Sequence, residues 1–132
     1  MIKQLATQVY STLGPGFSES VYHNAMEVLL RKNNINYETE RIIPIVFEEH
    51  TIGNLRADLI VDNNLIVELK AVRTINCAMK TQVKNYMKLT GIQQGLLINF
   101  PHSDVWTNDS PPRRAASSAS WSGWASPEFI DL

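Results

Sequence analysis

Apolar residues recur at helical spacing in the first segment, at Ile2, Leu5, Ala6, Val9 and Leu13. Gly14 then Pro15 end the pattern as a terminal glycine and a following proline do. A second helix is predicted from Ser18, which can cap it. Tyr22, Ala25, Met26, Leu29 and Leu30 form its stripe, and it ends near Asn33 and Asn34. From Tyr37 the period changes. Ile42, Ile43, Ile45, Val46 and Phe47 read as a strand, with a turn at Glu48-Glu49-His50 and Gly53, and Pro44 places this strand at an edge or at a bulge. Two further strands, about Asn54–Asp62 and Leu65–Val72, are apolar on both faces, which predicts central strands covered by helices. A third helix over Thr74–Thr90 turns Ile75, Ala78, Met79, Val83, Tyr86 and Leu89 inward and stops at Gly91. Gly95–Phe100 then makes one more buried strand. The order of helix, helix, three strands, helix, strand is that of an α/β (α+β) fold, a mixed sheet flanked by helices.

The pattern fails at Pro101. Residues 101–132 are rich in Ser, Ala and Pro and keep no period, yet hold Trp106, Trp121 and Trp124. They are expected to form a disordered tail after a single domain of residues 1–100, with everything from about Asp109 onward dispensable for folding. The formal charge is −1, so the chain as a whole does not attract polyanions as a strongly basic protein does. Cys77 is the single cysteine, which excludes an internal disulfide and a Cys-based zinc site and suits a cytoplasmic protein. No apolar run has the length of a membrane span, and no signal peptide is visible.

Asp58, Glu68 and Lys70 stand in the two strands expected to be most buried. Desolvation would expel them unless they bind something. Glu68 and Lys70 are two apart and share a face, while Leu69 between them points to the core. Two carboxylates beside an ammonium suit a hard cation such as Mg²⁺. A salt bridge from Lys70 to Glu68 or Asp58 accounts for the same spacing. For one metal to meet both carboxylates, the two strands cannot be joined by Asn63-Asn64 alone, because Asp58 would then face Leu69. A three-residue loop, Asn63–Leu65, or a bulge is required. Glu19 falls on the apolar stripe of the second helix and Gln82 on that of the third. Taken singly, these are a charge complementing the helix dipole and a hydrogen-bonded core amide. Arg73, Lys80, Lys84 and Lys88 resemble a nucleic-acid stripe. Lys84, however, lies about 200° around the helix from Gln82, so they read as a solvated face. His23, His50 and His102 have no metal-like spacing and receive no role, nor does Cys77.

These residues together resemble a known family. Gly16-Phe17-Ser18-Glu19-Ser20-Val21-Tyr22 is similar to the GxxExxY signature of a family in the PD-(D/E)XK nuclease superfamily. Arg56-Ala57-Asp58, Val67-Glu68-Leu69-Lys70-Ala71-Val72, Gln82 with Tyr86, and Gly95–Phe100 resemble its other blocks in the same order, across about residues 2–100. The resemblance implies a restriction-endonuclease-like core. Asp58, Glu68 and the Leu69 carbonyl would hold Mg²⁺, with Mn²⁺ as a substitute, and Lys70 would position the water. Glu19 would add an acid near the metal, and Gln82 would support the site. Ala57 stands where the superfamily name has Pro. After Phe100 the family continues into a further strand with basic residues, whereas here Pro101 leads into the tail. The expected function is hydrolysis of phosphodiester bonds in nucleic acid, with DNA as the substrate. A non-catalytic nucleic-acid-binding or assembly module of the same fold is the alternative, and a homo-oligomer stays open beside a monomer.

Overall fold

The chain begins with two helices, α1 (Ile2–Leu13) and α2 (Glu19–Lys32). They are followed by β1 (Tyr37–Phe47), β2 (His50–Val61) and β3 (Leu65–Lys70), then α3 (Cys77–Thr90), β4 (Gly95–Asn99) and β5 (Glu128–Asp131). The structure, a computed structural model, describes residues 1–102 and 126–132. The strands form one sheet in the order β1-β2-β3-β4-β5. Only β3 and β4 are parallel, and α3 supplies the crossover that a parallel pair needs.

The sheet separates two apolar layers. α1 and α2 cover one face, where Leu5, Val9, Tyr22, Met26 and Leu30 meet Leu59, Val61, Val67, Leu69, Leu96 and Ile98. α3 covers the other, setting Val83 and Tyr86 against Ile60, Ile66 and Leu97. Each such fully buried aliphatic side chain contributes about 1.5–3 kcal/mol relative to exposure. Residues Leu65–Leu69 are thus covered from both sides, as the apolar run Leu65-Ile66-Val67 predicts. α3 packs closely because Gly95 has no side chain: a Cβ there would lie 2.6 Å from Met87 Sδ and 2.9 Å from Val83 Cγ1.

Several local differences from the sequence reading have simple causes. α3 starts at Cys77 rather than Thr74, because the Asn76 side chain accepts the Met79 N–H at 3.0 Å and caps the helix there. Leu89 and Ala78 face solvent, and Met87 takes the inward position instead. Ser18 occupies the N-cap position of α2, but its hydroxyl pairs with Ser20 at 3.1 Å instead of bonding the helix backbone. β1 is an edge strand with a register shift between Ile45 and Val46, as Pro44 requires. Its turn is only Glu48-Glu49, so Gly53 lies inside β2 opposite Ile45.

The C-terminal residues depart most from expectation. Glu128–Asp131, assigned by composition to the tail, pair antiparallel with β4 through Asn99↔Glu128 to Leu96↔Asp131. Phe129 packs on the α1/α2 layer and Ile130 on the α3 layer, a period-two alternation too short to stand out after a Ser-rich stretch. Trp106, Trp121 and Trp124 lie outside the described residues.

Candidate active site

The β2–β3 connection decides whether the two carboxylates can meet. Val61 pairs with Leu65, Ile60 with Ile66 and Leu59 with Val67, so the loop is the three residues Asp62–Asn64 and the next positions opposite one another are Asp58 and Glu68. Asp62 and Asn63 carry φ of 51° and 55°, and the Asn64 N–H closes the turn on the Val61 carbonyl at 3.0 Å. Asp and Asn tolerate the left-handed region better than most residues, which favours this turn. The loop has the length a shared metal requires and starts one residue earlier than expected.

Beyond Leu59↔Val67 the two strands part. The Leu69 N–H donates to Asp58 Oδ2 at 2.9 Å instead of to a backbone carbonyl, and the Asp58 N–H approaches Glu68 Oε1 at 3.4 Å. A strand N–H lies in the plane of its sheet, so the Asp58 carboxylate sits in that plane, in the gap between β2 and β3. The cause lies on both strands. Glu40 and Asp58 drop out of the β1–β2 ladder while Thr39↔Leu59 and Arg41↔Ala57 keep their register, and Glu40 has a φ of 55°. Before the break Leu55 and Ala57 face α3; after it Ile60 does, and Leu59 faces the other way. The alternation slips by one residue at Asp58, which turns its side chain from a face of the sheet into the gap. On β3, Ile66 N–H and Lys70 C=O bond toward β4, so Leu69, offset by one from Lys70, directs its C=O toward the same gap.

Glu68 is only 3 % exposed. Burial first, then the neighbouring Asp58 carboxylate, pushes its pKa up to about 8, against a smaller lowering by Lys70. Its Oε2 faces the Tyr86 hydroxyl at 3.5 Å. That hydroxyl bonds more closely to the Arg56 carbonyl, at 2.8 Å, and accepts from Gln82 Nε2 at 2.9 Å. Gln82 therefore reaches the carboxylates only through Tyr86. Lys70 ends β3, and among the described residues no ion pair within 4 Å joins it to Asp58 or Glu68. The salt bridge that would have explained the spacing is not formed. Its charge nevertheless lowers the pKa of both Glu19 and Glu68, so it lies within electrostatic reach of each.

Glu19 is the first residue of α2, and the preceding loop is built to present it. Gly16 has a φ of +101°, a conformation in which a side chain is strained. The Tyr22 hydroxyl donates to the Gly14 carbonyl at 2.7 Å and accepts the Phe17 N–H at 3.3 Å, while its ring stacks on Phe100 with centroids 4.4 Å apart. The three named positions of the GxxExxY pattern thus divide into a turn, an acid and an anchor. The Glu19 pKa is raised chiefly by desolvation, opposed by Lys70 and reinforced by Asp58.

Two residues of the site had no recognisable signal. His23 lies one turn beyond Glu19 on α2, and its Nε2 meets Thr39 Oγ1 at 2.8 Å and Glu27 Oε2 at 3.0 Å. The (i, i+4) spacing from Glu19 was the only available hint. Asn99 is wholly buried. Its Oδ1 accepts the Val72 N–H at 2.9 Å, and its Nδ2 donates to the Val72 carbonyl at 2.9 Å and to Glu128 Oε1 at 2.7 Å. It pins the chain where it leaves the sheet two residues after Lys70. Lys84 and Lys88 are exposed on α3, whereas Gln82 faces the site, in agreement with a solvated basic face.

The donor set suits a hard cation. Two carboxylates crowded enough to hold a proton near neutrality, with a carbonyl directed into the same gap, offer oxygen ligands and a negative charge to neutralise. Among the described residues no three His, Cys, Asp or Glu side chains surround one point. Mg²⁺ needs no such cluster, since it takes one or two carboxylates and keeps several waters.

Among the described residues no helix is long and apolar enough to cross a membrane. No match was found among curated proteins. Among solved structures, one titled "Crystal structure of SSO0001" superposes with a TM-score of 0.50 at 26% identity, over 62% of this chain and 45% of that chain. The chain thus spans less than half the length of that protein. Residues 1–109 match the profile of the PD-(D/E)XK nuclease superfamily, which includes every residue placed around Asp58 and Glu68 except Glu128. With that match over most of its length and its acidic pair in the parted strands of a mixed sheet, the chain belongs to the PD-(D/E)XK nuclease superfamily.

Proposed function

We propose that this protein is a Mg²⁺-dependent nuclease of the GxxExxY branch that hydrolyses phosphodiester bonds in DNA in the cytoplasm. The observation that carries the reading is the Asp58 carboxylate in the gap between β2 and β3. There it is fixed by the Leu69 N–H and opposed by buried Glu68, with Lys70 at the strand end. Asp58, Glu68 and the Leu69 carbonyl would hold the cation, with Mn²⁺ as a substitute. When bound, the cation supplies charge for the phosphate and lowers the pKa of water. Lys70 orients the attacking water and offsets the charge that grows on the phosphate oxygens. The water oxygen forms the new bond to phosphorus as the bond to the sugar oxygen breaks. Glu19 stands on the opposite wall as a further acceptor, and Gln82 and Tyr86 hold Glu68 in place.

The test compares wild type with Lys70→Met on single-stranded, duplex and branched DNA, in Mg²⁺ and in EDTA, at equal metal occupancy measured by calorimetry. Cleavage by wild type alone, and only with metal, supports the reading. Equal rates from both proteins would expose a contaminant. Metal binding with no cleavage of any substrate would favour the binding or assembly module.

A further inference from the structure

A cleft of about 370 Å³ opens between α2 and the β1–β2 hairpin, and Glu19 and Asp58 belong to its wall as well as to the site. From them it extends past Ser20, Asn24 and His23 on α2 to Glu40 and Arg56 on the strands opposite. We propose that this cleft receives the base of an unpaired nucleotide next to the phosphodiester that is cut. This inference rests on the nuclease reading above and adds the class of substrate: nucleic acid with an extrahelical, frayed or single-stranded nucleotide at the cleavage point.

Position, size, charge and rigidity carry the inference. A phosphate drawn to a cation between Asp58 and Glu68 would have its own nucleoside as nearest neighbour, and the cleft shares Asp58 with that position. Its volume lies at the small end of the ~300–1,000 Å³ of small-ligand pockets, enough for one nucleoside and far too little for a stacked base pair. A paired base therefore has to leave its helix to enter, whereas an unpaired one enters at less cost.

The carboxylates of Glu19, Glu27, Glu40 and Asp58 outnumber the cations on the wall, which repels a phosphate but not a neutral base. The same wall offers both senses of hydrogen bond. The carboxylates accept, Arg56 donates and has no ion-pair partner among the described residues, and the Asn24 amide does both. His23 is fixed by Thr39 and Glu27, so that part of the wall is set before a ligand arrives. Glu40 keeps a left-handed backbone in the middle of a strand, and it is this break that leaves β1 and β2 unpaired beside the cleft.

The test uses the full chain with Ca²⁺ in place of Mg²⁺, and three DNA probes. One is a duplex with a single bulged 2-aminopurine, one the same duplex with that base paired, and one the corresponding single strand. Binding is read by anisotropy and the environment of the base by its fluorescence. The bulged and single-stranded probes should bind about tenfold tighter than the paired duplex, with a change in 2-aminopurine emission on binding. The double substitution Ser20→Leu, Asn24→Leu, on the exposed side of α2, should narrow the cleft and remove that preference while calorimetry shows unchanged Mg²⁺ binding. Arg56→Met, a second variant, should weaken the unpaired probes more than the paired one. Equal affinity for paired and unpaired probes, or a preference that survives both variants, would overturn the proposal. If such a protein still cuts DNA in Mg²⁺, the nuclease reading stands without it. If no probe binds and no DNA is cut, both fall together.

Discussion

Glu68 has a different neighbour for each oxygen: the Asp58 N–H approaches Oε1, and the Tyr86 hydroxyl faces Oε2. Replacing it with Gln keeps the shape and removes the anion. Glu68→Gln and Asp58→Asn are therefore expected to lower metal-dependent cleavage by about 10²-fold or more while the circular dichroism and cooperative melt persist. Tyr86→Phe is different. It leaves the Arg56 carbonyl and the Gln82 amide without their shared partner, at a cost of about 1–3 kcal/mol in denaturant unfolding. Asn99→Ala should cost a similar amount, because the half-buried Val72 N–H and carbonyl both lose their partner, whereas the exposed Glu128 oxygen can turn to water. The acids and Lys70 were legible in the sequence because charge in an apolar strand is conspicuous. Asn99 was not, because a single amide in Leu-Leu-Ile-Asn-Phe looks like the end of a strand. His23 was passed over because its partners, Thr39 and Glu27, come from a strand and from its own helix at spacings that name no metal.

At the scale of elements, periodicity located α1 to its last residue and placed the other helices and central strands with small errors at their ends, since caps and turns decide where a pattern stops. The slip of alternation at Asp58 could not be read, because it depends on Glu40 in another strand. β5 was missed for a different reason: four residues carry too little period to be distinguished from the polar stretch before them. Its structure revises what truncation should do. A chain ending before Glu128 loses the ladder on the outer edge of β4, the packing of Phe129 and Ile130, and the Glu128 contact to Asn99. Such a truncation is expected to lose about 2–4 kcal/mol of stability and to become prone to association through the bared edge. Thermal melts and sedimentation of the truncated and full chains measure both effects. An unchanged melt and a single monomeric boundary would restore the view that the C-terminal residues are dispensable.

For the whole molecule, the acidic pair links folding, metal and pH. In the unfolded chain Glu68 loses its proton near the ordinary carboxylate value of 4.5, whereas in the fold burial and Asp58 hold it until about 8. Between those values the folded state binds more protons than the unfolded one, so stability without metal falls as pH rises through this window and levels off above it. Glu19 is shifted in the same direction and adds to the trend. A divalent cation held as proposed would reverse the balance, because it would bind the deprotonated pair and have to displace the proton to do so. Melting in EDTA should therefore decline from pH 5 to pH 8.5, while the stabilisation by saturating Mg²⁺ should grow over the same range. Glu68→Gln has no proton to release at this position, so its melting in EDTA should be flatter and exceed that of wild type at pH 8.5. Calorimetric titration with Mg²⁺ in two buffers of different ionisation enthalpy should show net proton release below pH 8 in wild type, and less in the variant. Metal binding without proton release would mean that the pair is already ionised in the fold, so that the cation neutralises two like charges instead of displacing a proton.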